Sequence, residues 1–491
     1  MAANQLSARA LEALLGEWRS GASAYLALAD RIRLLTLDGR IPTDTRLPAE
    51  RDLSARLGLS RTTVTAAYRR LREAGQLVSV RGSGSMVRLP GAGPGLPPDP
   101  QGGILDFSKA TMPALPGLAD VAALAATDLP RHLGGSGFDP VGIPELRAAI
   151  ADRYTARGLP TEPEQIMVTL GAQHAIALLA RVLIGRGDRA LIEAPSYPHA
   201  YEALRSAGAR LVPVGVSAAG PGEDASSGGW DETALLQTLQ RSDPVLGYVM
   251  PDFHNPTGQS MPEGQRERVL AAAARTGTVL IADETIAELS IDREGDFLPF
   301  AAYAGAGAGS AGSAVSAVSV GSVGKTVWGG LRIGWIRADL GLIRKLVSAR
   351  SAGDLGTPIL EQLVVTQLLA DMPAILDRRS EELRRGRDYL EGLLAARFPD
   401  WHVPHVDGGI TAWVNLGSPV SSQLALAARN YGLLVPAGPQ FGIDGAFERF
   451  LRLPFCYGPE EMDRAVDALG LAWDSLLRHP VPDTGYLADV V

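Results

Sequence analysis

The chain has 491 residues, 46% of them hydrophobic and 20% charged, and its mean hydropathy is +0.06. A chain of this length and composition is expected to be soluble and globular and to form two or three domains. The single cysteine, Cys456, excludes an intramolecular disulfide and a cysteine-cluster metal site, so we expect no metal and a reducing cytoplasm. No apolar run is long enough to cross a bilayer, and the N-terminus, with Glu12 and Glu17, does not resemble a signal peptide.

Charge is distributed unevenly along the chain. Residues 25–90 hold twelve arginines against six carboxylates, a net charge of +6, whereas the whole chain has a net charge of −8. A basic N-terminal segment on an acidic body indicates a polyanionic partner for that segment alone, although chance fluctuation in a short stretch gives the same numbers. Lysine is rare, since Lys109, Lys325 and Lys345 are the only ones. Each of them is therefore a candidate for a specific role.

The first 90 residues predict three helices followed by a hairpin. The predicted segments are 25–38, 48–57 and 60–74 for the helices, and 77–80 and 85–87 for the strands. Gly58 closes the second helix, and Ser60 is a good N-cap for the third. Val64, Tyr68 and Leu71 fall on one face of that third helix and predict a buried stripe.

This order of elements suits the reading of duplex DNA. A helix that enters the major groove needs small polar side chains and arginine near its start, and its flanks need groups that bind phosphates. The third helix carries Arg61, Thr62, Thr65 and Arg69 outside its apolar stripe. Either helix alone is equally well explained by a helical bundle with solvated arginines. Helix, turn, helix and wing in one basic segment favour a DNA-binding module.

The stretch LPAERDLSARLGLSRTTVTAAYRRLREAGQLVSVRGSGSMV resembles the GntR-type winged helix-turn-helix. The LP-x-ER start, the LG-x-SR-x-TV turn and the RGSG wing all occur in register. The resemblance implies a DNA-binding domain over residues 20–88, whose partner is double-stranded operator DNA. The contacts that it implies are Arg51, Arg61, Thr63 and Arg69, with Gly84 in the wing, and Thr62 is added as a polar neighbour on the same helix.

A Pro/Gly-rich linker over residues 89–104 separates this module from a larger domain over residues 105–480. In that domain, strand-like runs at 165–169, 190–193, 246–250 and 279–282 alternate with helices such as 173–183 and 265–276. The alternation predicts an α/β domain with a mainly parallel sheet and flanking helices. Residues 304–314 are expected to be a low-complexity insertion before a strand over 315–320, and residues 372–480 a smaller C-terminal lobe.

Polar residues follow several of these predicted strands. Lys325 lies in a Gly/Ser-rich turn just after a strand, with Ser322 before it and Arg332 seven residues after it. Asp283 ends the strand VLIA, and Asn255 lies in the turn of PDFHNPTGQ. Singly, each is weak, because an aspartate after a strand is usually an N-cap, NPTG is usually only a turn, and a Gly-Lys pair occurs by chance.

Together, these residues meet the requirements of pyridoxal 5'-phosphate (PLP). The cofactor needs a lysine for its Schiff base, a carboxylate at the pyridine nitrogen, a donor to the phenolic oxygen, a ring that stacks on it, and a cup for its phosphate. The candidates, in the same order, are Lys325, Asp283, Asn255, Tyr197 and, for the cup, Arg332, Ser322, Gly171, Ala172 and Gln173.

Residues 105–478 resemble the fold-type I aminotransferases, because these candidates occur in that family's order. The resemblance implies Lys325 as the internal aldimine, Asp283 on the pyridine nitrogen and Asn255 on the phenolic oxygen. It also implies that Arg452, in FLRLPF, binds the α-carboxylate of an amino acid.

The chain departs from the aminotransferase pattern at two places. Phe138 stands where the family usually has a tyrosine that reaches the partner subunit's phosphate. Thr285 and Ile286 stand where a tyrosine usually bonds the phenolic oxygen. Because both changes remove a hydroxyl from the cofactor, we expect PLP to bind but turnover to be weak. Hydroxyls from elsewhere in the chain are the alternative.

The two halves together resemble the MocR/GabR-type transcriptional regulators over nearly the whole chain. The resemblance implies a cytoplasmic homodimer that binds DNA and senses PLP, an amine or an amino acid through the Lys325 aldimine, with at most transaminase-type half-reactions. Two alternatives stay open: an active aminotransferase that carries a DNA-binding module, and a DNA-binding protein whose large domain only dimerises. Effector, operator and the direction of regulation are not determined by the sequence.

Overall fold

The structure is a computed structural model that describes residues 6–15, 18, 23–37, 41, 45–73, 75–80, 84–87, 103–218, 220, 228–293, 295, 297–304, 317–443 and 445–477. The N-terminal elements within these ranges are α1 (Ala8–Leu15), α2 (Ala24–Leu37), α3 (Glu50–Leu57), α4 (Arg61–Glu73), β1 (Leu77–Val80) and β2 (Gly84–Val87). β1 and β2 form an antiparallel hairpin in which Leu77 lies opposite Val87. The predicted winged helix-turn-helix is confirmed, and the tip of its wing, residues 81–83, lies outside the described residues.

Apolar spacing explains how the N-terminal helices pack. Val64, Tyr68 and Leu71 of α4 are all buried, as their spacing predicts. The sequence did not predict α1, whose Leu11 and Leu15 are fully buried in the same core. The N-terminal unit is therefore larger than a minimal winged helix, because α1 packs on α2 and α3.

The turn between α3 and α4 depends on two small residues. Gly58 has a φ of +62°, in the left-handed region that favours glycine, and its N–H bonds the Ser54 oxygen at the end of α3. The Ser60 hydroxyl then accepts the N–H of Thr63 at 3.1 Å, which confirms the predicted N-cap of α4. This turn brings the start of α4 to the surface.

The remaining described residues form an α/β domain, as predicted. Its elements are β3 (Leu105–Asp106), α5 (Leu118–Ala126), α6 (Pro144–Ala156), β4 (Ile166–Thr169), α7 (Ala172–Leu183), β5 (Arg189–Ala194), α8 (Pro198–Ser206), β6 (Arg210–Ser217), β7 (Gly229–Trp230), α9 (Glu232–Ser242), β8 (Leu246–Val249), α10 (Glu263–Thr276), β9 (Val279–Asp283), β10 (Ala317–Ser322), β11 (Gly334–Arg337), α11 (Leu340–Arg350), α12 (Ile359–Ala370), α13 (Met372–Arg397), β12 (Thr411–Asn415), α14 (Ser421–Arg429), β13 (Leu433–Leu434), β14 (Phe450–Pro454) and α15 (Pro459–Leu477).

Eight of the described strands form one sheet in the order β4-β11-β10-β9-β8-β5-β6-β7. The five strands from β10 to β6 are parallel, and the outer pairings are antiparallel, so the prediction of a mainly parallel sheet is confirmed. Helices cover both faces, which is why β8 is buried along its whole length. The carboxyl ends of the parallel strands meet at one edge, where ligands bind in folds of this kind.

A second core lies between α13, α15 and the strands of the C-terminal part. β12 and β14 pair antiparallel there, and β13 pairs with β3, which lies more than three hundred residues earlier in the chain. Phe107, Ala110 and Met112 are buried in this core as well. The segment after β3 therefore packs on the C-terminal lobe, which the sequence did not predict.

Parts of the predicted organisation lie outside the described residues. The linker over 89–104 does so except for residues 103 and 104, and the insertion over 304–314 does so except for Ala304. The domain boundaries therefore stay predictions. In the described ranges, no single helix is long and apolar enough to cross a membrane, whereas α12 and α13, bent by 81° at their junction, pass that test of length and composition only as a pair.

Candidate functional site: a cofactor cavity and a DNA-binding face

A cavity of about 630 Å³ lies at the carboxyl edge of the sheet, against the C-terminal lobe. The lining includes predicted site residues from separate stretches of chain. These are Ala172, Gln173, Tyr197, Asn255, Asp283, Ser322, Lys325, Arg332 and Arg452. Gly171, the remaining candidate of this set, immediately precedes α7. The fold thus brings together residues that lie up to 280 positions apart in sequence.

Lys325 lies in the turn after β10, as predicted. Its Nζ donates a hydrogen bond to the main-chain oxygen of Ala110. Burial and, second, the positive charge of Arg452 lower the pKa of Lys325 to about 8. About a tenth of the amine is therefore neutral at pH 7, against about 0.03% for an ordinary lysine. A neutral amine is the form that attacks an aldehyde, so this lysine is prepared for Schiff-base chemistry.

Asp283 is the last residue of β9 and is only 5% exposed. Its Oδ2 accepts a hydrogen bond from the hydroxyl of Tyr248 at 2.6 Å, and its Oδ1 accepts the N–H of Thr285 at 3.0 Å. Both partners donate, so both oxygens of the carboxylate act as acceptors. This places one ordered carboxylate in the cavity wall.

Arg332 and the start of α7 form an anion-binding corner. Arg332 has a φ of +54°, and its Nη2 donates to the Leu170 oxygen at 3.0 Å. Gly171 has a φ of +83°, and a Cβ at that position would lie 3.0 Å from Arg332 Nη2. The positive φ and the close approach of the guanidinium both favour glycine here. The N-terminus of α7 adds free N–H groups beside the guanidinium, an arrangement that binds phosphate.

The other predicted residues for the phosphate lie at the same corner but have protein partners. The hydroxyl of Ser322 donates to the Ile333 oxygen at 3.0 Å and accepts the N–H of Gly324 at 3.0 Å. Gln173 Nε2 donates to the His199 oxygen at 3.2 Å. A phosphate at this corner would compete for these donors.

Asn255 and Tyr197 also line the cavity. Asn255 Oδ1 is buried and has no hydrogen-bond partner among the described residues. Burial and the Asp283 carboxylate raise the pKa of Tyr197 to about 12. An unpartnered buried amide is costly, so this group is suited to a bound polar molecule.

Arg452, on β14, supplies a buried cation on the C-terminal side of the cavity. It is 6% exposed, and burial lowers its pKa to about 10, so it is charged at neutral pH. Its Nη2 donates to the Ser108 oxygen, its Cζ lies 4.9 Å from the centre of the Phe441 ring, and its Nε is buried without a hydrogen-bond partner among the described residues. A guanidinium in this state is a binding group for a carboxylate.

Residues 106–113, which we call the strap, close one side of the cavity. The strap lies against the C-terminal lobe, where its main-chain oxygens accept hydrogen bonds from side chains. The donor and acceptor pairs are Tyr457 with Asp106 at 2.6 Å and Lys109 at 2.7 Å, Arg452 with Ser108, Lys325 with Ala110, Cys456 with Thr111 at 3.5 Å, and Arg379 with Pro113 at 2.7 Å. Sequence reasoning missed the strap, because its carbonyls carry no side-chain signature.

The positions that depart from the aminotransferase pattern are also placed. Thr285 and Ile286 line the cavity, so the change of residue type there lies at the site itself. Phe138 is 68% exposed and is absent from the lining of the cavity. Tyr248, which sequence reasoning also missed, occupies the strand next to Asp283, and only the pairing of β8 with β9 shows this neighbourhood.

Most of the predicted DNA contacts are exposed on the N-terminal unit. Arg51 on α3 and Arg61, Thr62 and Arg69 on α4 are exposed, and Thr63 is half-buried. Thr62 and Thr63 each form a hydroxyl contact of 2.7 Å with Ser60, at the start of α4. Arg69 has only a weak, exposed ion pair with Glu73 at 3.9 Å, so its charge is free to meet phosphate. Gly84 starts β2 with a φ of +82°.

Both the N-terminal unit and the α/β domain match known protein families. The sequence matches the family described as Aminotransferase class I and II over residues 119–469, and the family described as Bacterial regulatory proteins, gntR family, over residues 24–87. It is 32% identical over 291 residues to the probable rhizopine catabolism regulatory protein MocR of Rhizobium meliloti. The matched region covers 52% of this chain and 55% of that one. It is 26% identical over 482 residues to the uncharacterized HTH-type transcriptional regulator YdcR of Escherichia coli strain K12, and the matched region covers 91% of this chain and 98% of that one.

Among solved structures, the chain is similar to LysN, an alpha-aminoadipate aminotransferase of Thermus thermophilus complexed with N-(5'-phosphopyridoxyl)-L-leucine. The identity is 29% and the TM-score is 0.67, over 76% of this chain and 93% of LysN.

Proposed function

Since the chain belongs to the class I and II aminotransferase family and carries a GntR-family domain, we propose that its large domain senses PLP, an amine or an amino acid through Lys325. The architecture is that of the MocR-type regulators, and the function is PLP-dependent transcriptional regulation. The observation that carries the sensing role is the cavity that joins Lys325, Asp283 and Arg452.

The residues of the cavity fit PLP. Arg332 and the N-terminus of α7 are suited to the phosphate, and Asp283 is suited to the pyridine nitrogen. The Nδ2 group of Asn255, which lines the cavity, is the donor suited to the phenolic oxygen. When bound, PLP supplies an aldehyde that amines capture and a ring that accepts electrons. The chain itself supplies the amine of Lys325, with a pKa of about 8, and the stacking side chain of Tyr197.

Arg452 points to the class of effector. A buried cation needs an anionic partner, and its guanidinium already donates to a strap oxygen rather than to a carboxylate. The carboxylate of an amino acid fits this position. We therefore propose that an amino acid binds with its carboxylate on Arg452 and its amine toward Lys325, while PLP itself remains a candidate signal.

The strap offers a route from the cavity to the DNA-binding unit. Lys325 and Arg452 donate hydrogen bonds to main-chain oxygens of the strap. A ligand bound in the cavity would compete with the strap for these two donors. The strap continues N-terminally through β3, which pairs with β13, toward the predicted linker. A ligand shifts a conformational equilibrium only when it binds the two states differently, and competition for these donors supplies such a difference.

We further propose a homodimer that presents two winged helices to two half-sites of an operator. Several large apolar side chains of the α/β domain are exposed, among them Leu124, Leu133, Phe138, Trp328 and Leu355. Exposed apolar side chains of this size favour burial against a second copy. A DNA partner and a single free cysteine favour a cytoplasmic location.

Two variants test the proposal. Arg61→Ala is expected to lose operator binding and keep PLP, and Lys325→Ala is expected to lose covalent PLP and keep operator binding. Lys345→Ala, an exposed lysine on α11, is the matched control. Gel-shift assays measure DNA binding, and borohydride reduction followed by peptide mapping measures the pyridoxyl label on position 325.

Loss of both properties in either variant contradicts the modular account. An unlabelled wild-type peptide from PLP-saturated protein contradicts the role of Lys325. Steady turnover of an amino acid with a 2-oxo acid would instead support the active aminotransferase, against which Thr285 and Ile286 count because neither supplies a phenol hydroxyl.

A further inference from the structure

Tyr248 lies on β8 directly behind the cavity and is fully buried. Its hydroxyl donates to Asp283 Oδ2 at 2.6 Å. Asp283 lines the cavity and Tyr248 does not. The hydroxyl therefore reaches anything bound in the cavity only through the carboxylate of Asp283.

The direction of this hydrogen bond is fixed. Burial and the Asp283 charge raise the pKa of the Tyr248 hydroxyl well above its ordinary value, so the phenol keeps its proton. An ionised carboxylate has only acceptor positions, about four in all. Tyr248 takes one on Oδ2 and the N–H of Thr285 takes one on Oδ1, at 3.0 Å. Acceptor positions on Asp283 remain for a ring nitrogen.

We propose that Tyr248 is a positioning residue for the cofactor, which orients the Asp283 carboxylate so that it binds the protonated pyridine nitrogen. This inference rests on the proposed role of Asp283. The physical reason is that a donor to a carboxylate is a charge-assisted bond, stronger than a neutral one and more directional. Two donors, one on each oxygen, also fix the plane of the carboxylate.

A purely structural tyrosine would act differently. A tyrosine that only fills the core supports every cavity ligand equally, whether or not the ligand has a ring nitrogen. A tyrosine that acts through Asp283 supports only ligands whose ring nitrogen meets that carboxylate. The two roles therefore separate when PLP is compared with its 1-deaza analogue, in which a C–H replaces the nitrogen.

The test is Tyr248→Phe in the full-length protein, with dissociation constants for PLP and 1-deaza-PLP measured by quenching of tryptophan fluorescence. We expect about tenfold weaker binding of PLP, the effect of one hydrogen bond to a charged group, and a change within about twofold for the deaza analogue. The absorbance spectrum of bound PLP should also shift, because the spectrum follows protonation of the ring nitrogen. Equal losses for both ligands, or no loss for PLP, would overturn the inference.

Tyr201→Phe is the matched control. Tyr201 is also buried, and its hydroxyl donates to the main-chain oxygens of Glu193 at 2.8 Å and Phe441 at 2.9 Å, without contact with Asp283. It should leave the ratio of the two affinities unchanged. If Tyr248→Phe does not fold, 3,5-difluorotyrosine at position 248 replaces it. Its hydroxyl is a stronger donor of the same shape, so the preference for PLP over the analogue should increase; an unchanged or smaller preference contradicts the proposal.

The outcomes separate this inference from the proposed function. Failure of the wild-type protein to form the pyridoxyl label on Lys325 contradicts the function. A wild-type preference for PLP over 1-deaza-PLP that survives Tyr248→Phe contradicts the role of Tyr248 alone. In an Asp283→Ala background, Tyr248→Phe should have no further effect on the ratio, since no carboxylate remains for it to orient.

Discussion

The positive charge of Arg452 acts on Lys325 across the cavity and, after burial, is the second cause that lowers the pKa of this lysine to about 8. Neither residue is near the other in sequence, since one follows β10 and the other lies on β14. The group proposed to bind a carboxylate thus also adjusts the group proposed to bind an aldehyde. A carboxylate on Arg452 would reduce this effect and make the amine more basic.

A dependence on pH follows for the capture of PLP by cofactor-free protein. Only the neutral amine attacks, so the rate constant should rise about tenfold per pH unit below pH 8 and level off above it. Arg452→Leu should move the midpoint upward, toward the ordinary value of 10.5. Stopped-flow absorbance measures both profiles. An unchanged midpoint in Arg452→Leu contradicts the electrostatic coupling.

The same shift in the pKa of Lys325 affects stability. The unfolded chain, with an ordinary lysine, binds more protons between pH 8 and 10.5 than the folded chain, so this residue's contribution to the free energy of unfolding increases as the pH rises through that window. Lys325→Met should remove this slope. Urea titrations of wild type and variant at pH 7.5 and pH 10 measure the difference, which isolates Lys325 from the other groups that titrate there.

Gly171→Ala should weaken PLP binding about tenfold, because the new Cβ lies 3.0 Å from Arg332 Nη2 and a guanidinium displaced from the phosphate loses about one charge-assisted hydrogen bond. Gly187→Ala is the control. Gly187 has a φ of +89°, so it shares the backbone strain, but nothing lies within 4 Å of its Cβ position. Both variants should lose about 1 kcal/mol of stability. Equal PLP affinity in the two variants contradicts the proposed phosphate corner.

Arg69→Ala should weaken binding to all DNA sequences alike and reduce the slope of log K against log salt by about 1, as expected for one lost phosphate contact. Arg61 lies at the start of α4, so Arg61→Ala should also relax sequence preference. Arg56→Ala is a control, because Arg56 is not among the predicted contacts and its charge is paired with Glu12 at 2.5 Å. Fluorescence anisotropy over a salt series measures these slopes; a slope that Arg69→Ala leaves unchanged excludes the contact.

Tyr457→Phe should loosen the strap, since the lost hydroxyl bonds two of its oxygens, on Asp106 and Lys109. We expect faster hydrogen exchange at the amides of Leu105 and Phe107, which donate to the oxygens of Gly432 and Leu434 in the C-terminal lobe, and a smaller effect of ligand on DNA affinity. Tyr389→Phe, an exposed tyrosine bonded to Asp463, is the control. Unchanged coupling in Tyr457→Phe, despite faster exchange, would show that the strap does not transmit the signal.

The sequence predicts residues whose role depends on a local pattern. Asp283 ends a strand, and Lys325 and Asn255 follow strands; parallel strands bring such positions to one edge, so their meeting in the cavity could be expected. Ser60 and the stripe on α4 were predictable because capping and helical spacing are local rules. The winged helix and the mainly parallel sheet were predictable for the same reason.

Other features depend on which strands become neighbours. Tyr248 faces Asp283 only because β8 pairs with β9 in one particular register. The strap depends on the pairing of Leu105 with Leu433, for which the sequence carries no local signal. α1 was missed because a short amphipathic helix outside the recognised motif gains its stability from tertiary packing.

Coupling through the strap also implies an effect of the operator on the cavity. If occupancy of the cavity alters the affinity of the winged helix for its operator, the operator must alter the affinity of the cavity for its ligand by the same factor. Protein bound at a promoter would therefore respond to a different ligand concentration from protein that is free in solution. Calorimetric titration with and without an operator duplex would measure that difference directly.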